Sequence, residues 1–119
     1  MVKVFLVPAL KDNAHAQMLA KDFRRFKQGL AVEYMSMGKD VPFHYPSSAV
    51  MAELQHVHLI PLDSHYQTSD EFLVYTQGFN NPECYLILAI FSPNAHEISN
   101  DTLLMASLAD VAENFRSQF

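Results

Sequence analysis

Residues Cys84–Phe91 are apolar on both alternating sets, with Tyr85, Ile87, Ala89 and Phe91 on one side and Leu86, Leu88 and Ile90 on the other. Successive side chains of an extended strand point to opposite faces, so such a strand escapes water only if both faces are covered. The run predicts the central strand of a sheet with a packed layer on each side. Two further strand candidates precede it, residues 55–62 and 71–77. Gly78-Phe79-Asn80-Asn81-Pro82-Glu83 supplies the turn between the second and third, which gives an antiparallel meander.

The layers come from two amphipathic segments. After a first strand in Met1-Val2-Lys3-Val4-Phe5-Leu6-Val7, Asp12 or Asn13 is placed to cap a helix with a stripe of Ala16, Leu19, Phe23, Phe26 and Leu30; Gly29 supplies a left-handed stop. Its charged positions, Lys21, Asp22, Arg24, Arg25, Lys27 and Gln28, lie mostly off the stripe, as a solvated face or as a docking surface for RNA or a partner. Past Pro93, Ser99 or Asn100 is placed to cap a last helix, with Asp101 favourable near its N-terminus and Leu104, Leu108, Val111 and Phe115 as its buried stripe. Between residues 33 and 48 no apolar period survives Gly38, Pro42 and Pro46, so that stretch reads as a long loop, a type that tends to carry function. The expectation is an α+β fold: strand, helix, long loop, three-strand meander, helix, with a sheet of about four strands.

With 119 residues, half of them apolar and 18% charged, the chain has material for one hydrophobic core, and a single domain over 1–119 is expected. A lone cysteine, Cys84, excludes a disulfide framework and a Cys-rich zinc module and reads as a core thiol in a reducing cytoplasm. The short N-terminal apolar run lacks the length and cleavage site of a signal peptide, and no stretch approaches the roughly 20 apolar residues of a membrane helix. A soluble protein without a membrane partner is expected. The net charge of −5 argues against generalised binding to a polyanion, since only eight Lys and Arg residues can build a local patch.

An ordered series of short motifs runs through the chain. Phe26-Lys27-Gln28-Gly29, Met37-Gly38-Lys39-Asp40 and Phe43-His44-Tyr45-Pro46 come first, followed by His56-Val57-His58-Leu59, Thr68-Ser69-Asp70 and Leu73-Val74-Tyr75-Thr76-Gln77-Gly78. Leu86-Ile87-Leu88-Ala89-Ile90, Pro93-Asn94-Ala95-His96 and Ala112-Glu113-Asn114-Phe115-Arg116-Ser117-Gln118-Phe119 complete it. In this order and spacing the chain resembles the YafO toxins of type II toxin–antitoxin systems, and more distantly the RelE and ParE toxin group. It departs from the YafO pattern at Lys39 and Gln67, where Arg is usual, and at residues 63–66, a shorter segment. The resemblance implies a RelE-like twisted antiparallel sheet and a ribosome-dependent mRNA interferase, a metal-independent endoribonuclease without a cofactor. The implied partners are a cognate antitoxin, the ribosome and mRNA, with DNA reached only through the antitoxin complex.

RNA cleavage without metal needs a base for the 2′-hydroxyl, an acid for the leaving 5′-oxygen and hydrogen-bonding or cationic groups on the phosphate. His65, in the polar run Asp63-Ser64-His65-Tyr66-Gln67-Thr68-Ser69-Asp70, is the favoured base or acid, with an ordinary loop histidine as the alternative. His96 follows the central strand at a turn and reaches the same rim, or else serves as a turn residue. Asp70 orients a histidine or caps a turn, and Tyr75 orients phosphate or packs in the core. His58 shares a strand face with His56 and joins the RNA groove, together with Lys39, Gln67 and Arg116 as polar or phosphate contacts. Phe119 stacks on a base or extends the core stripe of the last helix. Two rival functions stand beside this: a binding protein that keeps the antitoxin surface without catalysis, and a small metalloenzyme using His56, His58 and His65.

Overall fold

The structure, a computed structural model, describes residues 1–119. A five-stranded sheet has the order β1-β5-β4-β3-β2, built from β1 (Lys3–Leu6), β2 (Ser36–Pro42), β3 (Gln55–Ile60), β4 (Phe72–Gln77) and β5 (Cys84–Phe91). The helices are α1 (Ala14–Lys27), α2 (Ser47–Met51), α3 (Ala95–Ile98) and α4 (Thr102–Gln118). The fold is α+β, and β3, β4 and β5 form the expected antiparallel meander.

Two expectations about the sheet are corrected. It has five strands rather than about four, because β2 forms inside the segment read as a loop, pairing antiparallel with β3. The middle strand is β4; β5 lies one place outward, flanked by β1, which runs parallel to it. The inference from β5's double apolar face still holds in its physical content, because Leu86 and Leu88 pack into one core and Tyr85 and Ile87 into the other.

Those cores occupy the two faces of the sheet. On one face, Leu19 and Phe23 of α1 are wholly buried against Val57, Leu73, Tyr75 and Ile87. Burial of each such side chain contributes about 1.5–3 kcal/mol. Asn13 caps α1 by accepting a hydrogen bond from Ala16 N at 2.9 Å, and Gly29 takes a left-handed φ of +74° at its end, as the sequence indicated. Leu30 falls beyond the helix and is exposed.

The opposite face is covered by α2 and α4 over Phe72, Val74, Leu86 and Leu88. The N-cap of α4 is Asp101, whose side chain accepts from Leu104 N, rather than Ser99 or Asn100. Its buried stripe is Met105, Ala109, Ala112 and Phe115, about one position round from the expected one, and Val111 faces outward. The two alanines let the helix axis lie close to the sheet, which turns Leu104 and Leu108 to the margin of the core. No helix is long and apolar enough to cross a membrane.

Candidate active site

On the α4 side of the sheet, at the β2–β3 end, a cleft of about 620 Å³ stays open. Strand alternation decides its floor: Lys39 and Val41 of β2 and His56 and His58 of β3 project to this face, while Asp40 and Val57 project to the other. A bulge at Gly38 and Lys39 sets two residues of β2 opposite His58. There the loop 61–71 comes in so close that a Cβ on Gly38 would sit 2.3 Å from Gln67 O, and Lys39 N donates to that same oxygen at 2.8 Å. Thr68, Ser69 and Asp70 of this loop form one wall, with His96 beside them and His44 across the cleft.

Three contacts set the histidines. The Nδ1 of His58, which is 4% exposed, accepts from Ser69 N at 2.8 Å. A backbone N–H only donates, so the neutral ring carries its proton on Nε2, and Ser69 O at 3.0 Å is a partner only for a protonated ring. Burial lowers the His58 pKa, with neighbouring His96 and Lys39 acting in the same direction against the Ser69 contact. The ring of His56 stacks on Phe43 with centroids 4.2 Å apart, and its buried Nδ1 has no partner. Burial first, then His58, brings its pKa down to about 4, so both floor histidines are neutral at pH 7.

His96 is held differently. Asp70 Oδ1 accepts from His96 N at 2.9 Å and from His96 Nδ1 at 2.7 Å. These two bonds hold the Asp70 carboxyl below the usual carboxylate range, and an ionised carboxylate only accepts; Nδ1 therefore carries a proton. Nε2 makes no hydrogen bond within the chain and is free for a substrate. The approach depends on Asn94, whose left-handed φ of 63° turns the chain from β5 into α3 and brings Ala95 N to Asp70 O at 3.0 Å.

Of the residues singled out from sequence, the cleft gathers Lys39, His58, Asp70 and His96. His65 is exposed on the loop that carries Asp70 but does not line the cleft. Gln67 contributes its backbone carbonyl, and its side chain stays outside. Tyr75 is buried on the α1 face, where its hydroxyl donates to Asp40 Oδ1 at 2.6 Å and accepts from Lys27 Nζ at 2.9 Å. Burial and Asp40 push its pKa far above the ordinary value, and it does not line the cleft. Arg116 ties the far end of the sheet to Glu53 at 3.0 Å and to Gln77 O at 2.6 Å. Phe119 stacks on Phe115 with centroids 4.6 Å apart and packs, partly buried, against the α4-side core, away from the cleft.

The sequence showed His44, Thr68 and Ser69 only as parts of motifs, and it placed His56 on a polar strand face beside His58, with a metal pair as the lesser alternative. The period-two spacing of His56 and His58 was the available signal for the floor. No three His, Cys, Asp or Glu side chains are grouped so as to hold a metal ion, and the trio His56, His58 and His65 is not assembled.

Residues 24–117 match the family described as Toxin YafO, type II toxin–antitoxin system. The mRNA interferase toxin YafO of Escherichia coli (strain K12) is 37% identical over 54 residues, a stretch covering 44% of this chain and 41% of that relative. The match therefore spans less than half of the relative's length. No solved structure matches the chain. With most of its length inside the family match, the chain belongs to the YafO toxin family of type II toxin–antitoxin systems.

Proposed function

We propose that this chain is a metal-independent endoribonuclease that cuts mRNA on the ribosome and is silenced by a cognate antitoxin. The observation that carries the reading is the Asp70–His96 pair at the rim of a cleft floored by Lys39, His56 and His58. In the proposed step the 2′-hydroxyl loses its proton, O2′ bonds to phosphorus and the P–O5′ bond breaks. The 5′-oxygen takes up a proton, which leaves a 2′,3′-cyclic phosphate. His96 Nε2, with its ring fixed by Asp70, is one proton-transfer group. The neutral His58 Nε2–H and the Lys39 ammonium take up charge on the phosphoryl oxygens. His44 across the cleft and His65 on the Asp70 loop are the candidates for the second proton transfer.

The net charge of −5 fits a nuclease that relies on the ribosome to hold its substrate. Its cations are also unevenly spread: Lys21, Arg24 and Arg25 of α1 surround a depression of about 320 Å³, which suits a local phosphate contact. The test is expression of wild type and His96→Gln with mRNA cut sites mapped. Wild type should arrest growth and cut mRNA, the variant should do neither, and purified protein should cut ribosome-bound mRNA far faster than naked RNA, with or without a chelator. Equal rates on both substrates overturn ribosome dependence. The acidic balance, with Lys39 as the one Lys or Arg in the cleft, favours as second reading an inert antitoxin binder; that reading requires wild type to leave growth untouched.

A further inference from the structure

Beside the cleft lies a second cavity of about 230 Å³ that shares Phe43, His44, His56 and His96 with it. Its remaining wall is of a different kind. Tyr45 is 60% exposed at the edge of this open depression, with its ring unstacked and its hydroxyl without a partner in the chain. Opposite it are Ser99 and Asn100 at the end of α3. Ser99 Oγ donates to His96 O at 2.9 Å and keeps its lone pairs free, while Asn100 spends only its backbone N–H, on Glu97 O. The Asn100 amide is thus a free donor and acceptor, in the turn just past α3, and it lines the same depression as His96.

A free aromatic face, an uncommitted amide and a lining that mixes aromatic rings with polar groups match one chemistry. It is a planar heterocycle whose faces stack and whose edge carries both donors and acceptors. We propose that this second cavity is a nucleobase subsite: the base next to the scissile phosphate stacks on Tyr45 and is read at its edge by Asn100. The inference rests on the RNA-cleaving reading of the cleft and adds that base preference is set here, not by the histidines. His96 lies in both cavities, so a base seated against Asn100 places its own phosphate at the proton-transfer group.

Two experiments test it. Nucleoside 3′-monophosphates titrated into the wild-type protein should shift the NMR signals of Tyr45 and the Asn100 side-chain amide. Inorganic phosphate and ribose 5-phosphate should move only the signals of His58, His96 and Lys39. If the nucleotides move Tyr45 and Asn100 no more than those two probes do, the subsite is overturned, whether or not the protein cuts RNA. In cut-site mapping, Tyr45→Ala should lower kcat/KM about tenfold to a hundredfold, as expected for loss of one base–aromatic stack, and Tyr45→Phe should restore it. Asn100→Asp, which removes the donor, should change the base favoured beside the cut. Unchanged base distributions in both the Tyr45→Ala and Asn100→Asp variants overturn the assignment. Absence of cleavage by wild type, with nucleotide shifts intact, overturns the cleavage reading and leaves the subsite standing.

Discussion

Lys39 and Asp40 are neighbours in sequence and lie on opposite faces of the sheet. Asp40 meets Lys27 Nζ at 2.6 Å and the Tyr75 hydroxyl at 2.6 Å beneath α1, where each charge is matched and little water enters. Lys39 faces the cleft with no ion-pair partner, beside a second carboxylate, Asp70, that holds a histidine at 2.7 Å. Both faces therefore carry an aspartate bonded to one cationic or cation-forming side chain. The difference is what remains unspent. The Lys27 ammonium is fully engaged by Asp40, Tyr75 and the surrounding aromatic rings, whereas His96 keeps Nε2 and Lys39 keeps its whole charge. The closed face supports; the open face is the one that keeps groups to spare for the proposed reaction.

The sharpest test of that division is His96→Ala, which should cut cleavage by about 10²–10⁴-fold with an unchanged melting temperature. Loss of folding instead of activity would erase the distinction. Lys27→Met should behave in the opposite way. It strands a largely buried carboxylate and should cost about 3 kcal/mol in urea unfolding, the lower end for a broken buried pair because some solvent still reaches it. The protein that remains folded should cut at the wild-type rate.

A smaller effect comes from the floor histidines. His56 has a pKa near 4 in the folded protein against an ordinary 6.5, so between those values the unfolded chain binds the extra proton. Stability therefore falls as pH drops from 6.5 to 4, and the lowered His58 acts with the same sign. His56→Phe keeps the stacked ring and removes the titration, so its melting temperature should vary less across that window. The smallest effect is at Asn94. Asn94→Ala forces a Cβ-bearing residue without a local hydrogen-bonding side chain into the left-handed region and should cost about 1 kcal/mol, while Asn94→Gly should be tolerated. A larger loss of cleavage than of stability in Asn94→Ala would show that the cleft is held by its turn.

The closed face was the legible one. Phe23, Leu19 and the period-two apolar strands declare themselves because burial repeats along the chain, and so does the Asn13 cap. The β2 strand did not, because Gly38 and Pro42 interrupt it and its bulge throws the alternation out of step. Position along α4 was misjudged by about one residue, since leucine outranks alanine in any apolar pattern, although here alanine is what permits close approach. At the open face, His58 was found from strand alternation and Asp70 and His96 from polar, turn-rich segments. Their contact, 26 residues apart in sequence, exists only once β4 and β5 have paired. His44 was hidden because its segment had no recognised strand to aim it.

The loop after β3 is pinned by Gln67 O to Lys39 N, by Ser69 N to His58 and by Asp70 to His96. All three anchors fall within residues 67–70. The hydrogen bonds of the stretch before them stay within it, such as Ser64 N to Pro61 O and Tyr66 N to Ser64 Oγ. Length can therefore vary upstream of Gln67 while the geometry downstream stays put. A chain with a shorter or longer tip here keeps the same aim at the cleft, and the part of this stretch ahead of His65 is where an insertion, an epitope or a fluorescent reporter should be tolerated.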